Sequence, residues 1–314
     1  MVTGGLGFIG SHLVDRLLAD DWRVVVLDNL LTGRRSNLAQ QKGNTNLKIV
    51  EGDIRRPGMV LKASKGCDAV FHFAAHALMR VSMGDPTMDL DYNLMGTMNS
   101  LRGAAANNVS DFVFASTSAL YGEAKVTPTP EAYSGIQTSF YGASKIAGEA
   151  FASAYVQFEP LRFWAFRFGT VLGERCRRGA IWDFEHKLMK NPRQLEILGD
   201  GKQIKDYLSV RDCIDGVMLG YSRSSEPVNI FNLGLTERTS VNEVADIVIE
   251  VMGLKEVERR YTGGASGWKG DNPVVQLSID KIESLGWRPT TSPREAIRST
   301  AEWTLREISR TRGA

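Results

Sequence analysis

Tyr141 and Lys145 stand four residues apart in the run Tyr141-Gly142-Ala143-Ser144-Lys145, a spacing that puts both side chains on one face of a helix. A phenol beside an ammonium is a tunable acid. A positive charge about 5 Å away, at an effective dielectric of about 20, is worth roughly 3 kcal/mol, enough to pull a phenol well below its ordinary pKa of about 10. The phenolate can then take the proton of a sugar or alcohol hydroxyl while a hydride leaves the same carbon. Alone, such a pair is common and reads as a plain helix surface with no role. The hydroxyl run Ser116-Thr117-Ser118 argues for chemistry, because it follows the apolar stretch Phe112 to Phe114, and the carboxyl edge of a parallel sheet is where such folds keep their sites. Read plainly, it is a polar turn leaving a strand.

A departing hydride needs an acceptor, and the chain opens on a turn built to hold one. In Thr3-Gly4-Gly5-Leu6-Gly7-Phe8-Ile9-Gly10 the glycines Gly4, Gly7 and Gly10 are spaced GxxGxxG, and an amphipathic stretch follows from Ser11. The turn thus opens a helix whose free N–H groups point at an anion such as a pyrophosphate. Asp28 ends the next apolar run 18 residues after Gly10, where a carboxylate accepts hydrogen bonds from a ribose diol and repels a 2′-phosphate. The pattern implies NAD rather than NADP; Arg34 and Arg35 pull the other way, and Asp28 capping a loop is the plain alternative. Asp53, at the end of the third run, either caps a turn or hydrogen-bonds the adenine.

Around these groups the chain runs in short apolar stretches separated by helix-length segments: Val24 to Leu27, Leu47 to Val50, Ala69 to Phe73, Phe112 to Phe114 and Trp164 to Phe168. Runs apolar on both faces read as parallel strands covered by helices. Leu13, Val14, Leu17 and Leu18 form one helical stripe, and Tyr141 to Tyr155 another helix, with a Lys145-Glu149 pair four apart. The fold class expected is α/β, a Rossmann-type doubly wound parallel sheet with a smaller C-terminal substrate-binding region. The division expected is a dinucleotide-binding domain over 1–168, joined by 206–233, and a substrate region over 169–205 and 234–314. A glycine turn of this kind follows a strand of about 5 residues, yet only Met1 and Val2 precede Thr3, so the first strand is expected to be cut short.

Composition narrows the classes. With 314 residues, 43% hydrophobic and 24% charged, and a net charge of +2, the chain has no basic field for nucleic acid or an anionic membrane. No apolar run approaches the roughly 20 residues of a membrane span, and no leader-like segment precedes the first motif. Cys67, Cys176 and Cys213 form no CxxC pair, which fits a reducing cytoplasm, and no catalytic metal is expected. The cluster Arg175, Arg177, Arg178 reads as a solvated loop or, alternatively, a contact for an anion.

The stretches TGGLGFIGSHLV, VVVLDNLLTGRRSNL, EGDIR, VFHFAA, NLMGT, FVFASTSALYGE, YGASK, GDGKQIKDYLSVRD, FNLG and SLGW, spread over nearly the whole chain, resemble the extended short-chain dehydrogenases/reductases of the nucleotide-sugar epimerase/dehydratase type, close to the UDP-glucose 4-epimerases. The resemblance implies Thr117, Tyr141 and Lys145 as catalytic residues. It implies an NAD site lined by Gly4, Gly7, Phe8, Ile9, Gly10, Asp28, Asn29, Asp53, Ile54, Ala74, Ala75, Asn93, Tyr141, Lys145 and Phe168. For the nucleotide sugar it points to His76, Ser82, Thr117, Ser118, Tyr141, Thr170, Lys205 and Asp271; His72 reads as a core histidine.

Sugar 4,6-dehydratases carry Asp-Glu where this chain has Ser118-Ala119, decarboxylases of the UDP-xylose synthase type keep a Glu at the second position, and epimerase/reductases of the fucose synthase type carry a Cys there. Lacking these, the chain is expected to be a 4-epimerase acting on a UDP-hexose. The alternatives are an NAD-dependent nucleotide-sugar dehydrogenase, reductase or 2-epimerase, and a non-catalytic NAD-binding protein. Thr170, Lys205 and Trp268 stand where many 4-epimerases have Asn, Arg and Arg, so the diphosphate grip is expected to differ, with Lys205, Lys269 or the Arg175 to Arg178 loop as candidates. Trp268 is equally readable as core. A homodimer is implied, through helices near Leu94 to Ala106 and Tyr141 to Tyr155.

Overall fold

A computed structural model describes residues 1–78 and 83–312. The apolar runs become the strands β1 (Val2–Thr3), β2 (Val24–Asp28), β3 (Leu47–Glu51), β4 (Ala69–His72), β5 (Asp111–Thr117), β6 (Arg162–Phe168) and β7 (Val228–Leu233), one sheet in the order β7-β6-β5-β4-β1-β2-β3. From β3 to β6 every neighbouring pair is parallel. The order reverses between β1 and β4, the crevice where doubly wound sheets take their ligands. Short as it is, β1 is central: Val2 pairs with Val26 on one side and Phe71 on the other.

Side chains alternate across this sheet. Leu27, Val70, Phe112, Phe114, Phe163 and Ala165 share a core with Val60 of α2 (Pro57–Ala63), Leu101 of α3 (Gly96–Ala106) and Ala152 of α4 (Phe140–Phe158). Phe71 and Trp164 turn to the opposite face, both packed on Tyr221. On that face α1 (Phe8–Ala19) also lies, its Val14 and the Val26 side chain converging on Gly5. Both faces are covered, as residues apolar on each side require.

Two compact units make up the chain. The first is Met1–Leu120, Ser139–Phe168 and Ile214–Phe231; the second is Tyr121–Thr138, Gly169–Cys213 and Asn232–Ala314. The segment Tyr121–Thr138 therefore parts from the 1–168 block read from the sequence. Its hydrogen bonds explain why: the Thr129 N–H donates to Gln276 O at 2.8 Å, and Asn232 Nδ2 donates to Thr129 O at 2.9 Å. In the second unit the helices Gly179–Lys190, Val241–Val251 and Pro293–Arg312 enclose a core of Ile181, Phe184, Leu188, Val244, Val248 and Ile297. A reciprocal Ser240–Glu243 capping box starts the middle helix.

Candidate active site

The glycine turn leaves β1 as a close-packed loop. Gly4 has a φ of +69°, and a Cβ there would lie 2.7 Å from the backbone N and Cα of Ala74; at Gly10 it would collide with the Gly4 carbonyl. Gly7 caps α1 without a side-chain partner, and no acidic residue occupies the first turn. Phe8 and Ile9 follow, partly exposed. The free N–H groups and the positive end of the helix are thus left for an anion.

Asp28, at the end of β2, is 7% exposed. Its Oδ2 accepts the Leu6 N–H at 2.9 Å and its Oδ1 the Leu30 N–H at 2.8 Å. The loop-capping reading is therefore real, yet each oxygen keeps a second lone pair for a ribose hydroxyl. Burial raises its pKa against those two bonds. A Cβ at Gly33 would come within 2.8 Å of Oδ1, so the glycine keeps that approach open. Arg35 is paired with Glu51 at 2.7 Å.

Asn29 reaches Asp53 at 3.2 Å. Asp53 caps its own turn, accepting the Arg55 N–H at 2.8 Å, and the Arg55 guanidinium holds its carboxyl down at about 2. Beside them lies a cavity of about 760 Å³ lined by Asn29, Asp53, Asn99 and the cations Arg55, Arg56 and Arg102. Of those arginines only Arg55 falls in a motif, EGDIR; Arg56 and Arg102 carry no periodic or motif signal in the sequence. Ile54 is buried, and its side chain fills the space that a Cβ on Gly96 would take. Ala74 donates its N–H to Thr3 Oγ1 at 3.3 Å, Ala75 is partly exposed, and the Phe168 ring lies 6.2 Å from that of Phe73.

α4 brings Lys145 to the carboxyl end of β5. Its Ser139 cap accepts the Gly142 N–H at 3.1 Å, which fixes where the helix starts and so where Tyr141 emerges, half-buried. Lys145 is 2% exposed; its Nζ donates to Ala115 O at 2.8 Å and lies 4.5 Å from the Phe114 ring centroid. Burial pulls its pKa down to about 7, against the pull of Glu149 and Asp89. Thr117 ends β5 with Oγ1 accepting the Ala119 N–H at 3.1 Å, and Ser118 follows, half-buried.

The Lys145-Glu149 pair is no exposed helix pair. Glu149 is 4% exposed and gripped by Arg167, with Nη2 at 2.7 Å from Oε2 and Nε at 3.1 Å from Oε1, while the Ser116 hydroxyl donates to Oε1. Arg167 was legible only as the one charged residue in the run Trp164 to Phe168.

Asn93 and His76 are buried rather than open. The Asn93 side chain accepts the His76 N–H at 2.8 Å and donates to His76 O at 3.0 Å, Asp89 Oδ1 at 2.8 Å and Ser144 Oγ at 3.2 Å. That amide is committed within the protein, so Asn93 shapes the wall by holding its neighbours. The His76 ring turns toward Asp89, with Nδ1 3.6 Å from Oδ1. His72 is a core residue, stacked on Phe114 and bonded to Thr3 and Thr97 at 2.8 and 3.0 Å; burial lowers its pKa to about 3. Ser82 lies outside the described residues.

The second unit brings Lys205 and Asp271 together. Lys205 Nζ donates to Asp271 Oδ1 at 2.8 Å and to Asn272 O, and Asp271 Oδ2 accepts the Gly267 N–H at 3.1 Å. Lys205 thus ties down the turn that carries Trp268 and Lys269, the former half-buried and the latter exposed. Thr170 starts the strand Thr170–Leu172 with its N–H on Asp206 O at 3.0 Å. The arginine cluster is no simple solvated loop: Arg177 pairs with Glu307 at 2.6 Å and stacks over Trp303.

The glycine cradle, the uncapped helix start and the Asp28 carboxylate fit a dinucleotide. The family model described as the NAD dependent epimerase/dehydratase family matches residues 1–234. A UDP-glucose 4-epimerase of Mycolicibacterium smegmatis is 31% identical over 313 residues, covering 96% of this chain and 97% of that one. The Thermus thermophilus UDP-glucose 4-epimerase, solved with NAD, is 34% identical with a TM-score of 0.85, covering 97% of this chain and 98% of that one. A Streptomyces venezuelae dTDP-glucose 4,6-dehydratase, also solved with NAD, is 29% identical with a TM-score of 0.90, covering 98% and 97%. The chain belongs to the NAD-dependent epimerase/dehydratase family, and NAD is its cofactor.

Proposed function

We propose that the chain interconverts the C4 epimers of a UDP-hexose, with glucose/galactose or their N-acetyl or uronic acid analogues as the sugar. The observation that carries this reading is the convergence of Thr117 and Lys145 at the carboxyl end of β5, Tyr141 one turn before Lys145, with no acid at Ser118 or Ala119. Bound in the Gly4–Gly10 cradle, NAD supplies a hydride acceptor and donor at the sugar carbon. Tyr141 removes the proton of the 4-hydroxyl and later returns one. Lys145 is held out of water, where its charge favours the phenolate more strongly than it would at a surface. Thr117 accepts a bond from Ala119, leaving its own proton to steady the reacting oxygen. Lacking an acid at Ser118-Ala119, the site has no group there to expel water or carbon dioxide, as dehydration or decarboxylation would need.

Thr170, Lys205 and Asp271 are assigned to the diphosphate end. Lys205 is already bonded to Asp271 and Asn272, so its role is to hold the turn that presents Lys269. Remote affinity of this kind leaves the hexose free to turn between two hydride transfers. The second unit is read as the substrate region.

The test is incubation of purified protein with UDP-glucose, UDP-N-acetylglucosamine and UDP-glucuronate, without added NAD, followed by proton NMR. A C4 epimer forming without net NADH is the expected result; NADH accumulating in step with substrate would replace the epimerase by a dehydrogenase. Tyr141→Phe is expected to lose about 10²–10⁴-fold in turnover while keeping its NAD.

A homodimer is proposed on the exposed apolar side chains Leu90, Met95, Phe151 and Phe158, the last two spaced two turns apart on α4. Light scattering on the purified chain tests it. Among the described residues no helix is long and apolar enough to cross a membrane, and the three cysteines are free; the cytoplasm is the proposed compartment.

A further inference from the structure

Two buried carboxylates act on Lys145, and they differ in what else holds them. Glu149, on the same helix, has its charge matched by the two-toothed Arg167 guanidinium and the Ser116 hydroxyl. Asp89, on the π-helical turn Asp89–Met95, is 1% exposed. Its Oδ1 accepts from Asn93 at 2.8 Å, with the His76 ring 3.6 Å away, and its Oδ2 is buried with no hydrogen-bond partner among the described residues. The same Asn93 amide donates to Ser144 at 3.2 Å, and Ser144 donates to Tyr141 O at 2.8 Å. One rigid bracket therefore ties the anion to the turn of α4 that carries both Tyr141 and Lys145.

A buried carboxylate with an unsatisfied oxygen is costly unless a cation compensates it. Arg167 is taken by Glu149, and on β4 the only titratable neighbour, His72, is held neutral by burial, with the Lys145 charge adding to that effect. We propose that Asp89 is a positioning residue for the acid–base pair: the buried anion that, through the Asn93–Ser144 bracket, keeps Lys145 protonated and seated against β5. The inference rests on reading Tyr141 and Lys145 as that pair.

The test is carbon-13 NMR of lysine Cε in the NAD-loaded protein, with the Lys145 signal identified by its loss in Lys145→Met. Asp89→Asn is expected to lower the Lys145 titration midpoint by about one pH unit or more. In turnover, the acid limb moves up because a neutral lysine no longer favours the phenolate, while KM is unchanged. Asp89→Glu restores both. Should Asp89→Asn fail to fold, Asp89→Ser is read in its place with the same expectation. A midpoint unmoved by loss of the charge, or moved as far by Asp89→Glu, overturns the role of Asp89. Turnover surviving in Tyr141→Phe would instead remove the acid–base reading, whatever the titration shows.

Discussion

Lys145 shares its surroundings with other buried charges, and the Arg167–Glu149 bridge is the first of these. Both side chains are almost fully buried, at 8% and 5% exposure, and joined by two parallel bonds that carry direction as well as charge. Such a bridge adds little over an apolar pair of the same volume, but removing one partner strands the other. Arg167→Met is therefore expected to cost about 3–5 kcal/mol, measured by urea unfolding. Arg167→Lys should fall between, since an ammonium keeps the charge and loses the fork. A cost under about 1 kcal/mol for Arg167→Met would show that Glu149 does not depend on this guanidinium in the fold. None of this was readable from the sequence beyond the four-residue spacing of Lys145 and Glu149, because Arg167 lies 18 residues from its partner and bonds across two elements.

At the scale of elements, the Gly4–Gly10 turn and the ends of β2, β4 and β5 were legible, since continuous apolar runs and glycine spacing are periodic signals. The bracket from Asp89 to Ser144 was not: its members come from a π-helical turn, a loop and α4, and such a knot repeats nothing. Nor was the Lys205–Asp271 clamp, whose partners lie 66 residues apart. The glycines themselves give a graded prediction. A methyl at Gly10 would run into the Gly4 carbonyl, at Gly7 it would sit 3.1 Å from the same atom, and at Gly58 of α2 it would meet nothing within 4 Å. Gly10→Ala should therefore open the turn, losing bound NAD and about 1–3 kcal/mol. Gly7→Ala should do so mildly, and Gly58→Ala should be neutral or gain up to about 1 kcal/mol in a helix. Nucleotide released on denaturation, measured beside the melting temperature, ranks the three; equal NAD content in Gly10→Ala and Gly58→Ala would show that close packing of this turn is not what holds the dinucleotide.

Across the whole molecule, the response to pH is set by groups buried away from the ionic form they prefer in water. His72, lowered to about 3, favours folding increasingly as pH climbs from 3 to 6.5, because the unfolded chain binds a proton there that the folded one refuses. Lys145, lowered to about 7, does the same between pH 7 and its ordinary value of 10.5. Glu185 works the other way. It sits on the helix Gly179–Lys190 one turn after Ile181, 0% exposed, with neither carboxyl oxygen hydrogen-bonded among the described residues, and burial pushes it up to about 8. Asp206, fully buried, is raised in the same direction to about 7. Between pH 4.5 and 8 the folded chain keeps the Glu185 proton that the unfolded chain releases, so this group's contribution is fully present below 4.5 and is lost as pH rises through 8. Glu185→Gln keeps the shape and removes the titration. Its melting temperature should match that of the wild-type chain near pH 4.5 and exceed it by a margin that widens up to about pH 8, reaching at least about 3 °C, then stays constant. The other titrations are common to both proteins and cancel in the difference, so a gap that does not change with pH would show that Glu185 gives up its proton at the same pH in the folded chain as in the unfolded one.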